Sequence, residues 1–236
     1  MNPGRFDRRR TRADAQRYDR PRPRVASCLG AGGAYGIAFV LGVVDGLAEA
    51  GLDVRNGPMV GTSAGGYAAA ALAGGVNFDD VLQAWPKEFT LKVSRAFDVT
   101  SPLYGDRRGE GVACVAIRLP TLRRTLLWGD EYHFADFVAA SSSPPPFAWP
   151  HKLNARRYID AGYASTASVD LAPIADLLVL VTPFWDGAGR AGRRAARRGR
   201  KEMRAYESCG GGRILQIGPN EEISALKAFR MRAIFS

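Results

Sequence analysis

Histidine and cysteine are scarce in this chain, with two and three among 236 residues. Cys28, Cys114 and Cys209 are odd in number, far apart and without C-x-x-C spacing, which points to neither a disulfide framework nor a thiolate zinc site. Neither a metal nor another cofactor is expected. Cys28 and Cys114 lie inside apolar runs and read as small core residues, whereas Cys209, beside Gly210-Gly211-Gly212, reads as exposed. No apolar run reaches the roughly 18 to 20 residues of a spanning helix, and the first residues, Met1-Asn2-Pro3-Gly4-Arg5, lack the apolar core of a signal peptide. A cytoplasmic protein is expected, at most peripheral at a membrane.

Positive charge is what the sequence has in surplus: Lys+Arg 33 against Asp+Glu 23, a net charge of +10. Much of the arginine falls between Arg5 and Arg24 and between Arg190 and Lys201. Two readings stay open, a solvated arginine-biased surface or attraction to anionic head groups or nucleic acid, with nucleic acid not the expected partner. Hydrophobic residues at 46% and charged residues at 24% fit a globular domain with a sizeable core.

Residues 1–24 carry three prolines among charges and little to bury, so they read as a disordered basic leader, with one domain from 25 to 236. Val25 to Leu29 reads as a buried strand, and Ile37, Val40, Leu41, Val44 and Leu47 recur at helical spacing until Gly51. Pro58-Met59-Val60 suggests a second strand, followed after a glycine-rich turn by an alanine-rich helix ending at Gly74-Gly75. A helix over 79–89, an ill-defined stretch to Gly111, a hairpin of 112–119 with 122–128 and a helix over 133–140 come next. Strands at 157–160, 177–182 and 213–217 and helices at 192–208 and 221–232 complete the pattern. Strands alternating with helices predict a layered α/β domain with a largely parallel sheet.

The sharpest chemical signal is Gly61-Thr62-Ser63-Ala64-Gly65, a G-x-S-x-G between strand and helix. Small flanking residues let the chain turn tightly, so that the Ser63 hydroxyl stands clear while the helix N-terminus and the Ala64 amide face developing negative charge. A nucleophile and a merely structural turn both fit this pattern. A serine hydroxyl needs a base. An α/β-hydrolase would take it from a histidine near the C-terminus, but His133 and His151 both precede the later acidic candidates, so they read as surface or packing residues.

A second glycine cluster, Gly30-Ala31-Gly32-Gly33-Ala34-Tyr35-Gly36, joins the first strand to its helix. Amides on such a loop bind anions, which permits a nucleotide pyrophosphate cradle or an oxyanion hole. Asp53 lies about 20 residues on, where a ribose-binding acid would stand, yet Leu52-Asp53-Val54 offers little strand to hold it.

Taken in order, Gly30 to Gly36, Gly61 to Gly65, Ala139-Ala140-Ser141-Ser142 with its prolines and Phe147, and Arg157-Tyr158-Ile159-Asp160-Ala161-Gly162 resemble the blocks of patatin-like phospholipases. The resemblance runs from about Val25 onward. It implies a patatin-like three-layer α/β/α domain and a Ser63/Asp160 catalytic dyad that uses no histidine. It also implies an oxyanion hole of backbone amides at Gly32, Gly33 and Ala34. The implied substrate is a glycerophospholipid or related acyl ester, cleaved through an acyl-enzyme without a metal. The chain departs from the family pattern at Ala31, Tyr35 and Ala161; at Ala161 a Cβ would be costly if φ were positive. An impaired enzyme and a basic nucleic-acid- or membrane-binding module are the alternatives. Ser165 and Asp170 read as loop and capping residues.

Overall fold

The computed structural model describes residues 21–84, 95–184 and 189–224. Val25–Leu29 forms β1 and leads through the first glycine cluster into α1, Gly33–Glu49, which turns Gly36, Ile37, Val40, Leu41 and Val44 inward. β2, Met59–Thr62, is buried throughout and leads across Ser63 into α2, Ala64–Gly74. The eight α2 residues from Ala64 to Ala71 are all buried, because a helix of alanine and glycine lies close enough to the sheet to be covered on every side. Gly75, at φ 66, ends it in the left-handed cap that glycine adopts without steric cost.

The remaining elements are α3 (Phe78–Ala84), α4 (Phe97–Tyr104), β3 (Val112–Leu119), β4 (Arg123–Trp128) and α5 (Phe134–Ser141). They are followed by β5 (His151–Leu153), β6 (Arg156–Asp160), β7 (Leu177–Val181), α6 (Gly189–Ser208) and β8 (Arg213–Ile217). The strands form one mixed, mostly parallel sheet in the order β5-β6-β3-β2-β1-β7-β8, with β4 also paired to β3. β3-β2-β1-β7-β8 is the parallel part, and β4, β5 and β6 add antiparallel pairs.

Strand side chains alternate between two packed faces. Cys114, Ala116, Val179 and Val181 pack with Val40, Val44, Tyr67, Phe134 and Phe137 from α1, α2 and α5. On the opposite face Ala26, Cys28, Leu178 and Leu180 pack with Tyr206 of α6, and Val60, Ala113, Val115 and Ile117 with Leu126 and Trp128 of β4. Cys28 and Cys114 are buried and Cys209 is exposed, as the sequence leads one to expect. Among the described residues no helix is long and apolar enough to cross a membrane.

One feature of the topology positions the site. Along Ala113–Arg118 one edge of β3 is taken by β4, so β2 and β6 share the other edge, end to end. Thr62, the last residue of β2, is opposite Val115, and Asp160, the last residue of β6, is opposite Ala116. Ser63, which follows Thr62, is thus brought to Asp160, 97 residues on, at neighbouring residues of one strand.

Three expectations need adjustment. The ill-defined stretch before Gly111 contains α4, disguised by Pro102 within it, and the proline-rich connection contains the short β5. The expected leader ends before residue 24: Arg22 pairs with Asp176 at 2.7 Å, and Pro23 and Arg24 carbonyls accept the Asp176 and Leu177 amides. Residues 85–89 of the third expected helix and 225–232 of the last lie outside the described residues, as do residues 1–20 of the leader.

Candidate active site

The turn after β2 is as tight as its composition requires. A Cβ at Gly61 would stand 2.3 Å from the Gly65 carbonyl oxygen, and one at Gly65 would stand 1.9 Å from that of Leu29, so neither position admits a side chain. Ser63 between them has φ 53 and ψ −114, a strained conformation for a residue with a Cβ. That strain lifts the hydroxyl out of the strand line at the start of α2.

The Ser63 hydroxyl donates to Oδ2 of Asp160 at 2.7 Å, and Oδ1 of Asp160 accepts the Gly162 amide, also at 2.7 Å. Asp160 is buried. Burial pushes its carboxyl up to about 6, against the lowering effect of the hydrogen bonds from Ser63 and Gly162. A carboxylate in that range is a far better proton acceptor than a free aspartate, yet remains ionised at neutral pH.

Ser141 fills the junction between β2 and β6. Its Oγ accepts the Ser63 amide at 2.9 Å and donates to the Val115 carbonyl at 2.7 Å. The Asp160 amide donates to the Ser143 carbonyl at 3.1 Å, and the Ser143 hydroxyl to the Ala139 carbonyl at 2.8 Å. The end of α5 therefore supplies the ladder partners that β3 loses where β2 stops. The resemblance assigns Ser141 no role; its one signal in the sequence is a run of small hydroxyl residues closing an apolar helix.

The first glycine cluster lies against the chain that follows each member of the pair. A Cβ at Gly36 would stand 3.1 Å from that of Ala64, and one at Gly162 would stand 3.6 Å from that of Ala31. Gly32 has no room for a side chain, since its Cβ would be 2.3 Å from the Gly36 Cα. The amides of Gly32, Gly33 and Ala34 have no acceptor among the described residues, and Gly33 and Ala34 are exposed at the N-terminus of α1. Such a row of free N–H groups attracts negative charge.

Ala161, Tyr35 and Ala31, which differ from the blocks the sequence resembles, are each accommodated locally. Ala161 opens a 3₁₀ turn, Ala161–Tyr163, without a positive φ, and its methyl packs with Val60, Val115 and Leu171. Tyr35 stacks on Phe39 with ring centroids 6.0 Å apart. Ala31 keeps its amide, which donates to the Thr166 carbonyl at 2.6 Å.

Neither histidine touches the pair. Nδ1 of His133 is 2.9 Å from the Asp106 carbonyl oxygen, and Nε2 of His151 is 3.0 Å from Asp136, with its ring stacked on Phe97. Asp53 bonds to Arg55 on the surface and belongs to no strand, so the dinucleotide pattern lacks its acid-bearing strand. Among the described residues no group of three or more His, Cys, Asp or Glu side chains could hold a metal ion.

Ser165 and Asp170 do more than shape a loop. The buried Arg124 guanidinium forks onto Asp170 at 2.8 and 2.6 Å and reaches Glu202 at 3.2 Å. Glu202 also accepts from Arg198 at 2.8 Å and from the Ser165 hydroxyl at 2.7 Å. Burial pushes the Glu202 carboxyl up and Arg124 draws it back. This cluster ties the chain just after Asp160 to β4 and α6. The sequence did carry a sign of it, because Arg124 alternates in phase with Leu126 and Trp128 and so occupies an inward position.

No protein-family model matches the sequence, and none of the curated proteins is detectably similar to it.

Proposed function

We propose that the protein is a serine acyl hydrolase of the patatin-like type, with that family's three-layer α/β/α arrangement, acting on glycerophospholipids or related acyl esters. The observation that carries this reading is the 2.7 Å hydrogen bond from Ser63, held in a strained turn, to a buried carboxylate whose pKa is raised. The order of the sequence blocks and the free amides at the head of α1 support it.

In the first half-reaction the Ser63 oxygen attacks the ester carbonyl carbon and its proton passes to Asp160 Oδ2. The oxyanion is stabilised by the amides of Gly32, Gly33 and Ala34 together with the positive end of α1. Collapse breaks the bond to the alcohol, which leaves with the proton held by Asp160. In the second half Asp160 takes a proton from water as its oxygen attacks the acyl carbon, the same amides hold the second oxyanion, and Ser63 is expelled and reprotonated. Ester and water become carboxylic acid and alcohol.

The test is release of fatty acid from a glycerophospholipid by the wild-type chain and by Ser63→Ala and Asp160→Asn. Both variants are expected to lose nearly all turnover while keeping their fold, with losses that do not add. A folded wild-type chain that hydrolyses neither lipid nor a nitrophenyl ester would instead leave a basic binding module.

A further inference from the structure

The sheet continues past the dyad. β3 runs on beyond the end of β2, and with β4, β5 and β6 it forms an antiparallel tip. The register of this tip sets Arg118 opposite Arg123 and Lys152 opposite Arg157. Like charges directly opposite one another weaken a ladder. Among the described residues no ion pair relieves them, and residues 115–129 and 137–159 contain no aspartate or glutamate. Arg123, Lys152, Arg156 and Arg157 are exposed, and among the described residues none of them, nor Arg95, makes an ion pair.

Two open grooves meet at Arg157. One, of about 650 Å³, runs between the β3–β4 and β5–β6 turns past Arg118, Pro120 and Arg156. The other, of about 540 Å³, is lined by Arg95, Phe97, Trp149 and Lys152. Large apolar side chains stand exposed in the proline-rich segment and just after Asp160: Trp149 at 62%, Phe147 at 46% and Tyr163 at 54%. The Tyr163 hydroxyl donates to the Pro145 carbonyl, which joins the chain after Asp160 to the proline-rich segment. Burial and the nearby Asp160 charge both raise the Tyr163 phenol. Trp149 lines the second groove, and the Tyr163–Pro145 bond ties the segment that carries it to the chain after Asp160.

We propose that this tip docks on an anionic phospholipid bilayer, with Arg95, Lys152, Arg156 and Arg157 on head-group phosphates and Phe147 and Trp149 in the interfacial region. The proposal takes its substrate from the hydrolase reading, but the docking is separable from the chemistry. Cations beside exposed tryptophan and phenylalanine match a surface that is anionic outside and apolar beneath. A charged edge strand also discourages strand-to-strand pairing, but that purpose asks for no exposed aromatic beside it. The arginine-rich α6 is the less suitable face: Arg193, Arg197 and Arg200 are exposed, Arg198 turns inward to Glu202, and no large apolar side chain is exposed along that helix.

The test uses the full chain carrying Ser63→Ala, so that the vesicles are not consumed. Binding is read by co-sedimentation with vesicles of about three parts phosphatidylcholine to one of phosphatidylglycerol, over a salt series. Lys152→Gln, Arg156→Gln and Arg157→Gln together are expected to weaken binding at low salt by at least about tenfold. Trp149→Ala should remove most of the binding that survives high salt. Arg193→Gln, Arg197→Gln and Arg200→Gln together should leave binding within about twofold. Unchanged melting transitions establish that each variant is folded. Binding that ignores the tip substitutions, binding lost with the α6 substitutions, no binding to vesicles, or tighter binding to duplex DNA than to vesicles would each overturn the proposal. Tip-dependent binding by a chain whose wild-type form releases no fatty acid would keep the docking surface and reject the hydrolase.

Discussion

The Ser63 amide donates to the Ser141 oxygen, and the Ser141 hydroxyl donates to the Val115 carbonyl, so one side chain carries the ladder across the gap between β2 and β6. Ser141→Ala would leave a partly buried donor and a buried acceptor unpaired, each worth about 1–3 kcal/mol when fully desolvated. The variant is expected to melt lower. It should also lose turnover by about tenfold or more with little change in KM, because Ser63 would no longer be held at its angle. Wild-type turnover in a folded Ser141→Ala protein would show that Ser63 is positioned by the glycines alone.

Asp160 couples activity to pH in a stated direction. Its carboxyl is raised from 3.8 to about 6, and it must be ionised to accept the Ser63 proton, so kcat/KM should fall on the acid side of about pH 6. A carboxyl raised in the folded state binds more protons folded than unfolded between these values. Stability therefore declines as pH rises from about 4 to about 6 and stays lower above it, by an amount on the order of 3 kcal/mol. Asp160→Asn should be inactive yet more stable than wild type at pH 7, with the advantage vanishing below about pH 4. Paired activity and melting profiles against pH check both limbs.

Strain at Ser63 predicts an ordering of two inactive variants. Glycine accepts a positive φ without penalty, whereas alanine does not. Ser63→Gly should melt higher than Ser63→Ala, by about 1 kcal/mol or more after the entropy that glycine loses on folding. Denaturant titration of the two proteins is sufficient.

The oxyanion hole is best probed at Ala34. Gly33 has φ 59, which proline cannot adopt, so Gly33→Pro would disrupt the loop as well as remove a donor. Ala34 lies in the first turn of α1, where proline is tolerated and the lost N–H has no helical partner. Ala34→Pro should lower kcat on a soluble ester by about 10²-fold if its amide holds the oxyanion, with a small change in melting temperature. Unchanged turnover would move the hole to Gly32 and Gly33.

Legibility divided along physical lines. β1, α1, β2, α2 and the β3–β4 hairpin could be read because each combines an apolar pattern with glycine at one end or both, and β7 because it is an uninterrupted apolar run of five residues. α4 was hidden by Pro102, and β5 is three residues long, set by its pairing to β6 rather than by any pattern of its own. Ser63 and Asp160 were legible as a pair only through resemblance, since no local spacing shows that β2 and β6 end on adjacent residues of β3. The Arg124, Asp170 and Glu202 cluster was missed for the same reason, its members coming from three separate segments. Arg124→Met should expose how much it holds, at about 3–5 kcal/mol of lost stability, because the partly buried Asp170 would lose its cation and the buried Glu202 would keep only Arg198.

Covalent labelling by a fluorophosphonate, with the adduct mapped by mass spectrometry, tests the nucleophile most directly. The Ser63/Asp160 dyad predicts one modified residue, Ser63, with labelling nearly abolished by Asp160→Asn and unchanged when His133 and His151 are both replaced. A folded protein that is not labelled, that is labelled elsewhere, or whose labelling depends on either histidine would contradict it.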